Sequence, residues 1–293
     1  MNNNFSWTHI NFSDPEGARV VEEEPGIEEV IENALLDENS RPRALVTPEG
    51  TLLILRGVNL NAGADVEDMI SIRVWARPDR VISTARRHLR SVETMKAQAD
   101  SGKGTSSGGE FLCQLIQRLG DYMGETVEKI EAKLEDAENQ VAETGAIARN
   151  SPFSVIRRQC ARIRRHLGPQ REALVQLLRT PGELLGAEEI ATIHEEANRL
   201  SLILEDLDLV RERAMVSQEE FLGIVAHEQN TRMLVLSIIA AIFLPLSFLT
   251  GLMGMNVAGL PGTENVYAFA ILVVLMVLLA GGILLLFRLW KWF

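Results

Sequence analysis

The C-terminal fifth of the chain is patterned unlike the rest. No charged side chain occurs between Met233 and Thr263, and after Glu264 none appears until Arg288. Each run is longer than the roughly 20 apolar residues a helix needs to cross a ~30 Å hydrocarbon core, which predicts two spanning helices, about 233–253 and 266–287. A soluble helix keeps one polar face, and two consecutive segments apolar all round do not. Upstream, residues 43–84 hold the strand signals. Ala44-Leu45-Val46 and Leu52-Leu53-Ile54-Leu55 flank a Pro48-Glu49-Gly50 turn, Ser71 to Ala76 alternates, and Val81-Ile82 follows. Residues 26–36 read as a short acidic amphipathic helix. The Gly- and Ser-rich stretch from Asp100 to Gly109 reads as a flexible connection.

Beyond that stretch the period becomes helical. Ile116, Leu119, Met123, Val127, Ile130, Leu134, Ala137 and Val141 step by threes and fours, predicting one long packed helix. Ser151-Pro152 opens a second helix, which carries Ile156, Cys160, Ile163 and Leu167 and is expected to be interrupted at Gly168-Pro169; Thr180-Pro181-Gly182 ends its continuation. From Ala187 no proline occurs before Pro245. The simplest expectation is one helix running from an aqueous region through the first span, on the order of 100 Å at ~1.5 Å per residue. The chain therefore divides into an α/β region with its linker (1–109), long helices forming a stalk or funnel (110–231) and a pair of spans with a short loop (232–293).

Charge orients this layout. Arg232 precedes the first span, Arg288 and Lys291 follow the second, and the loop 256–265 has no basic residue, so the positive-inside rule predicts both termini in the cytoplasm. The first 17 residues carry neither a basic region nor an apolar run, and no cleaved leader is expected. Of 293 residues, 29 are basic and 40 acidic, a formal charge of −11, and 39 of the acidic residues precede Arg232. An acidic body argues against nucleic-acid binding and for a cationic partner. Cys113 and Cys160 form no metal-binding spacing. Gly102-Lys103-Gly104-Thr105 fails as a phosphate loop, since Gln98 stands where the first glycine must be and Gly104 where Ser or Thr must follow the lysine. No nucleotide is expected, and neither a hydrolase triad nor an HExxH motif points to an enzyme.

One face of the first span carries Asn230, Met233, Ser237, Ala240, Leu244, Ser247, Thr250 or Gly251 and, past its end, Asn256. Small, hydroxyl and amide side chains in such a stripe fit either a narrow wet path or helix–helix contact. No Cys, His, Asp or Glu lies inside either span, so a passing cation meets only weak neutral oxygen ligands, as conduction requires. One chain with two spans cannot enclose a pore, so oligomerisation is implied. Glu264 would ring the outer mouth with negative charge. His227 is the one imidazole placed to meet ions at the inner end, although a lone histidine on a long helix is more often a surface residue.

Gly254-Met255-Asn256 at the end of the first span, the short acidic loop, the second span and the basic-aromatic C-terminus resemble the CorA family of divalent metal transporters. Within it, Leu55-Arg56-Gly57-Val58-Asn59-Leu60-Asn61, the segment Glu67 to Trp75 and the loop Gly259-Leu260-Pro261-Gly262 resemble the ZntB-type zinc transporters. The resemblance implies an α+β membrane protein and a homopentamer. It gives an N-terminal αβα cytoplasmic domain and a long-helix funnel continuing into the first of two C-terminal transmembrane helices. It implies that Asn256 contacts a hydrated cation at the outer mouth, that Gly254 and Met255 shape that turn, and that Asn230, Met233, Leu236, Leu244 and Ser247 face the pore. The implied function is transport of zinc, and of related cations such as cadmium, nickel and cobalt, across the bacterial inner membrane. Proton-coupled uptake is the implied mode, without a resident cofactor. A magnesium or cobalt channel, zinc efflux and a non-transporting membrane-anchored scaffold stay open as alternatives.

Overall fold

The computed structural model describes residues 5–38, 40–144, 152–256, 260, 262 and 265–290. Five strands, β1 (Ser6–Asn11), β2 (Arg43–Val46), β3 (Thr51–Gly57), β4 (Ile70–Ala76) and β5 (Arg80–Ala85), form one sheet in the order β1-β5-β4-β3-β2. β1 pairs with β5 in parallel and the other pairs are antiparallel. Helices α1 (Pro15–Glu22) and α2 (Glu29–Leu36) follow β1, and α3 (Arg90–Asp100), α4 (Gly108–Thr144), α5 (Phe153–Arg179), α6 (Ala187–Met253) and α7 (Ala268–Leu289) follow β5.

The pleat sends alternate residues to opposite faces and so builds two cores. Leu52, Ile54, Trp75 and Ile82 face α1 and α2, where Val21, Ile31 and Leu35 are buried. Leu53, Leu55, Ile72, Val74 and Val81 face the other way, onto Val92, Met95, Phe111, Leu115, Leu119, Leu174, Leu177 and Ile193 from α3 to α6. Each such side chain, taken from water, stabilises by about 1.5–3 kcal/mol. Helices thus cover both faces of the sheet, the αβα arrangement expected.

The strands read from residues 43–84 are β2 to β5. β1 lies outside that window because its anchors are remote: Trp7 Nε1 donates to Ser83 Oγ at 2.8 Å and His9 Nδ1 lies 2.9 Å from the same hydroxyl. α2 begins at Glu29 rather than residue 26, because Gly26 has φ 78°, outside the helical region. α5 is continuous, with Pro169 inside it, so the expected interruption at Gly168-Pro169 does not occur. Proline's fixed φ is helical, and Leu167, Gln170, Ala173 and Leu174, buried on both sides of it, hold the helix together at the lost hydrogen bond. The predicted cap Ser151 lies outside the described residues, and Pro152 occupies the cap position.

The Gly-rich stretch joins α3 to α4. Gly102, at φ 76°, closes α3 in a Schellman arrangement, with Lys103 N donating to Gln98 O at 2.9 Å and Gly102 N to Ala99 O at 3.0 Å. The sequence that mimics a phosphate loop is a helix stop. Gly108 lies so close to the β4–β5 turn that a Cβ there would stand 2.1 Å from Arg77 O, so this glycine serves a close approach rather than looseness.

Residues Met1–Phe221 form one compact unit and Leu222–Phe293 another. α6 contributes to both. In the first unit it buries Ile193, Ala197, Leu200, Ile203, Leu207, Val210, Ala214 and Phe221 at steps of three and four. Among the described residues none beyond Phe221 is buried. Among the described residues α6 and α7 are the two helices long and apolar enough to cross a membrane.

Candidate ion path

The second unit shows how its two apolar helices share their faces. The half-buried positions of α6 here are Leu234, Ile238, Ala241, Ile242, Pro245, Leu246 and Leu249; those of α7 are Ala268, Leu272, Met276, Ala280, Ile283 and Phe287. Both sets recur at helical spacing, the mark of two stripes shielding each other. At ~100° per residue the α6 stripe is centred about 140° around the helix from Met233. Met233, Ser237, Ala240, Leu244, Ser247 and Gly251 therefore form a separate, exposed stripe that α7 leaves uncovered. Asn230 is exposed on its flank and Leu236, 62% exposed, on the opposite flank.

Within the stripe, Ser237 Oγ donates to Met233 O at 2.8 Å, and next to it Thr250 Oγ1 donates to Ser247 O at 3.0 Å. These two hydroxyl protons are thus used by the helix backbone, and their oxygen lone pairs are what remains to meet a cation or its water shell. Pro245 sits among the positions turned to α7. It lacks the N–H that would otherwise bond Ala241 O, in the same half-buried stripe, and leaves the opposite stripe's backbone regular.

α6 ends at Met253, and Gly254 N closes the last turn on Thr250 O at 2.9 Å. A Cβ at Gly254 would lie 3.1 Å from Thr250 O, so this tight exit favours glycine. Met255 and Asn256 follow, both exposed, which puts the Asn256 amide just past the end of the stripe. α7 starts after Asn265, whose Oδ1 accepts from Tyr267 N at 2.9 Å. Glu264, expected at the mouth, and residues 257–259 and 261 of the loop lie outside the described residues.

His227 does not join the stripe. Six residues before Met233, it is rotated about 120° from it, toward the side of Leu234 and Ile238. Arg232 pairs with Glu228 at 3.1 Å one turn away. Among the described residues no cluster of three or more His, Cys, Asp or Glu side chains has metal-site geometry. A cluster of another kind, the guanidinium groups of Arg56, Arg73, Arg86 and Arg87, stands at one end of the sheet. Its only sequence signal was that Arg56 and Arg73 fall in the two segments carrying the family likeness.

A family profile described as CorA-like Mg2+ transporter protein matches residues 2–289. The chain is 37% identical over 279 residues to the divalent cation transporter CmaX of Pseudomonas aeruginosa, covering 94% of this chain and 83% of that one. It is 30% identical over 277 residues to the zinc transport protein ZntB of Yersinia enterocolitica, covering 94% and 84%. The solved structure of full-length CmaX superposes with a TM-score of 0.82 at 35% identity, over 98% of this chain and 88% of that one. An αβα unit, a long helix running into an apolar segment, a second apolar helix and the whole-length match lead to one conclusion: this chain is a member of the CorA family of divalent cation transporters.

Proposed function

We propose that the protein carries zinc, with related divalent cations such as cadmium, nickel and cobalt, through a central path enclosed by a homopentamer in the bacterial inner membrane, with both chain termini in the cytoplasm. The observation that carries this reading is the uncovered stripe of α6, small and hydroxyl-bearing, which ends at the amide of Asn256. Five copies turned inward would make a narrow conduit with an amide collar. Amide, hydroxyl and carbonyl oxygens are hard, neutral ligands, and zinc prefers nitrogen and sulfur. A path without those donors lets zinc pass with its water shell rather than trapping it. The likeness to a zinc transport protein supports zinc as cargo. Glu264 would concentrate cations at the mouth, and coupling to protons in the uptake direction completes the proposal.

The test is flux into liposomes loaded with a zinc-sensitive dye, with and without a pH gradient, comparing zinc with cadmium, nickel, cobalt and magnesium. Zinc enters, and acidifying the source side speeds it. Asn256→Ala abolishes flux while the oligomer persists in size-exclusion chromatography. Equal flux at every gradient removes proton coupling, and undiminished flux in Asn256→Ala removes the collar.

A further inference from the structure

The two N-terminal segments that carry the family likeness, 55–61 and 67–75, meet at one end of the sheet, and the ion path uses neither. On the face toward α1 and α2, strand register lines up Leu52, Trp75 and Ile82 in one row, Ile54, Arg73 and Thr84 in the next, and Arg56 with Ser71 in a third. An apolar surface thus ends in two guanidinium groups on neighbouring strands. Like charges so placed repel, and nothing in the apolar rows offsets them.

Arg73 is 1% exposed. Its Nη2 donates to Asp37 O at the end of α2, and its guanidinium lies over the Phe12 ring, 4.7 Å from the centroid. Its Nε and Nη1 are buried without a hydrogen-bond acceptor among the described residues. Arg56 donates to Met69 O at 3.1 Å and Ser40 O at 2.9 Å, and its Nε is likewise buried and unpartnered. Those acceptors are neutral carbonyls. Burial, helped by the field of Arg56, lowers the Arg73 pKa to about 10, which still leaves it charged at neutral pH.

Both side chains line a cavity of about 390 Å³. Its rim carries Arg86 and Arg87, and its two carboxylates are already engaged, Glu38 with Arg86 at 2.9 Å and Asp68 with Arg87 at 2.6 Å. The lining therefore holds four cations against two anions, with Arg73 buried, Arg56 half-buried, and neither in a direct ion pair with the two lining carboxylates. Buried cations with unused donors are costly unless an anion meets them, and the guanidinium fork matches tetrahedral oxyanions.

We propose that this cavity is an anion site that takes a phosphate group, with Arg73 and Arg56 as its floor and Arg86 and Arg87 as its rim. The volume accommodates either free phosphate or the phosphate end of a small monoester, since ligand pockets start at roughly 300 Å³. The site shares no residue with the proposed cation path.

The purified full-length protein tests this with inorganic phosphate, glycerol phosphate and, at matched ionic strength, chloride. Phosphate raises Tm in a concentration-dependent way, as a ligand of the folded state must, and calorimetry gives a Kd that weakens about tenfold or more in the double variant Arg86→Gln/Arg87→Gln, whose exposed side chains leave folding intact. Arg73→Lys, which keeps the charge and loses the fork, weakens it as well. Tighter binding of glycerol phosphate assigns the site to an organic monoester, and equal or weaker binding assigns it to free phosphate. An equal Tm shift from chloride, or unchanged phosphate affinity in the double variant, overturns the proposal.

Discussion

His9 lies on an edge strand yet is largely buried, and burial first, then the nearby Lys96 and His88, bring its pKa down to about 4. It is therefore neutral in the folded protein at neutral pH, where its Nδ1 meets Ser83 Oγ. An unfolded chain would protonate the same ring near pH 6.5, so between that value and about 4 the unfolded state binds the extra proton. Stability then falls as pH drops through this window and levels off below it. From pH 7 to pH 5 the loss from this one group is on the order of 2 kcal/mol. The measurement is Tm of wild type and His9→Gln at both pH values. The wild type loses more on acidification, and equal losses would mean that His9 titrates normally.

At the scale of elements, the sheet and the long helices share one hydrophobic core within the unit Met1–Phe221. Phe111 makes the point. It stands two residues past the Gly-rich stretch, is fully buried, packs 4.9 Å from the Trp7 ring by centroids, and shares a core with Leu55 and Val74. Phe111→Ala should destabilise the N-terminal unit by about 3–5 kcal/mol and melt sheet and helices together. If limited proteolysis of that variant freed an intact sheet from intact helices, the shared core would be the wrong description. Why this was hidden in the sequence follows from the kind of signal each element gives. The heptad-like stripe of α4 and the uncharged runs of α6 and α7 are local periodicities, and they predicted helices correctly. β1 is invisible locally because Trp7 and His9 are anchored by Ser83 on the neighbouring strand β5, 76 and 74 residues further along the chain. α5 looked broken at Pro169 because the buried contacts that outweigh the missing bond come from other elements. The α6 stripe could be drawn from residue spacing alone, since helix geometry is fixed. The arginine cluster could not, because strand register brings its members together.

At the scale of the whole molecule, the proposed pentamer requires α6 to turn one particular face inward, and the protein's own chemistry permits a direct test. Both native thiols are buried and hard to ionise. Burial, reinforced for Cys113 by Glu189, raises Cys113 to about 12, and burial raises Cys160 to about 11. Thiolates are the reactive form, so the wild-type chain should be inert to thiol reagents and needs no cysteine removed. Single cysteines can then report the path: Ser247→Cys on the exposed stripe and Ile242→Cys on the half-buried stripe turned to α7. In zinc-flux liposomes, a small cationic methanethiosulfonate applied outside should cut flux through Ser247→Cys by more than half. Modification there places a fixed positive charge in a low-dielectric conduit, where repulsion of a divalent ion is largely unscreened. Ile242→Cys should be insensitive, since its side chain meets the neighbouring helix and lipid rather than water. Block at Ile242→Cys with none at Ser247→Cys would rotate the helix by roughly half a turn and put the other stripe on the ion's route. The same preparation, cross-linked and weighed, counts subunits, and the proposed pentamer requires five.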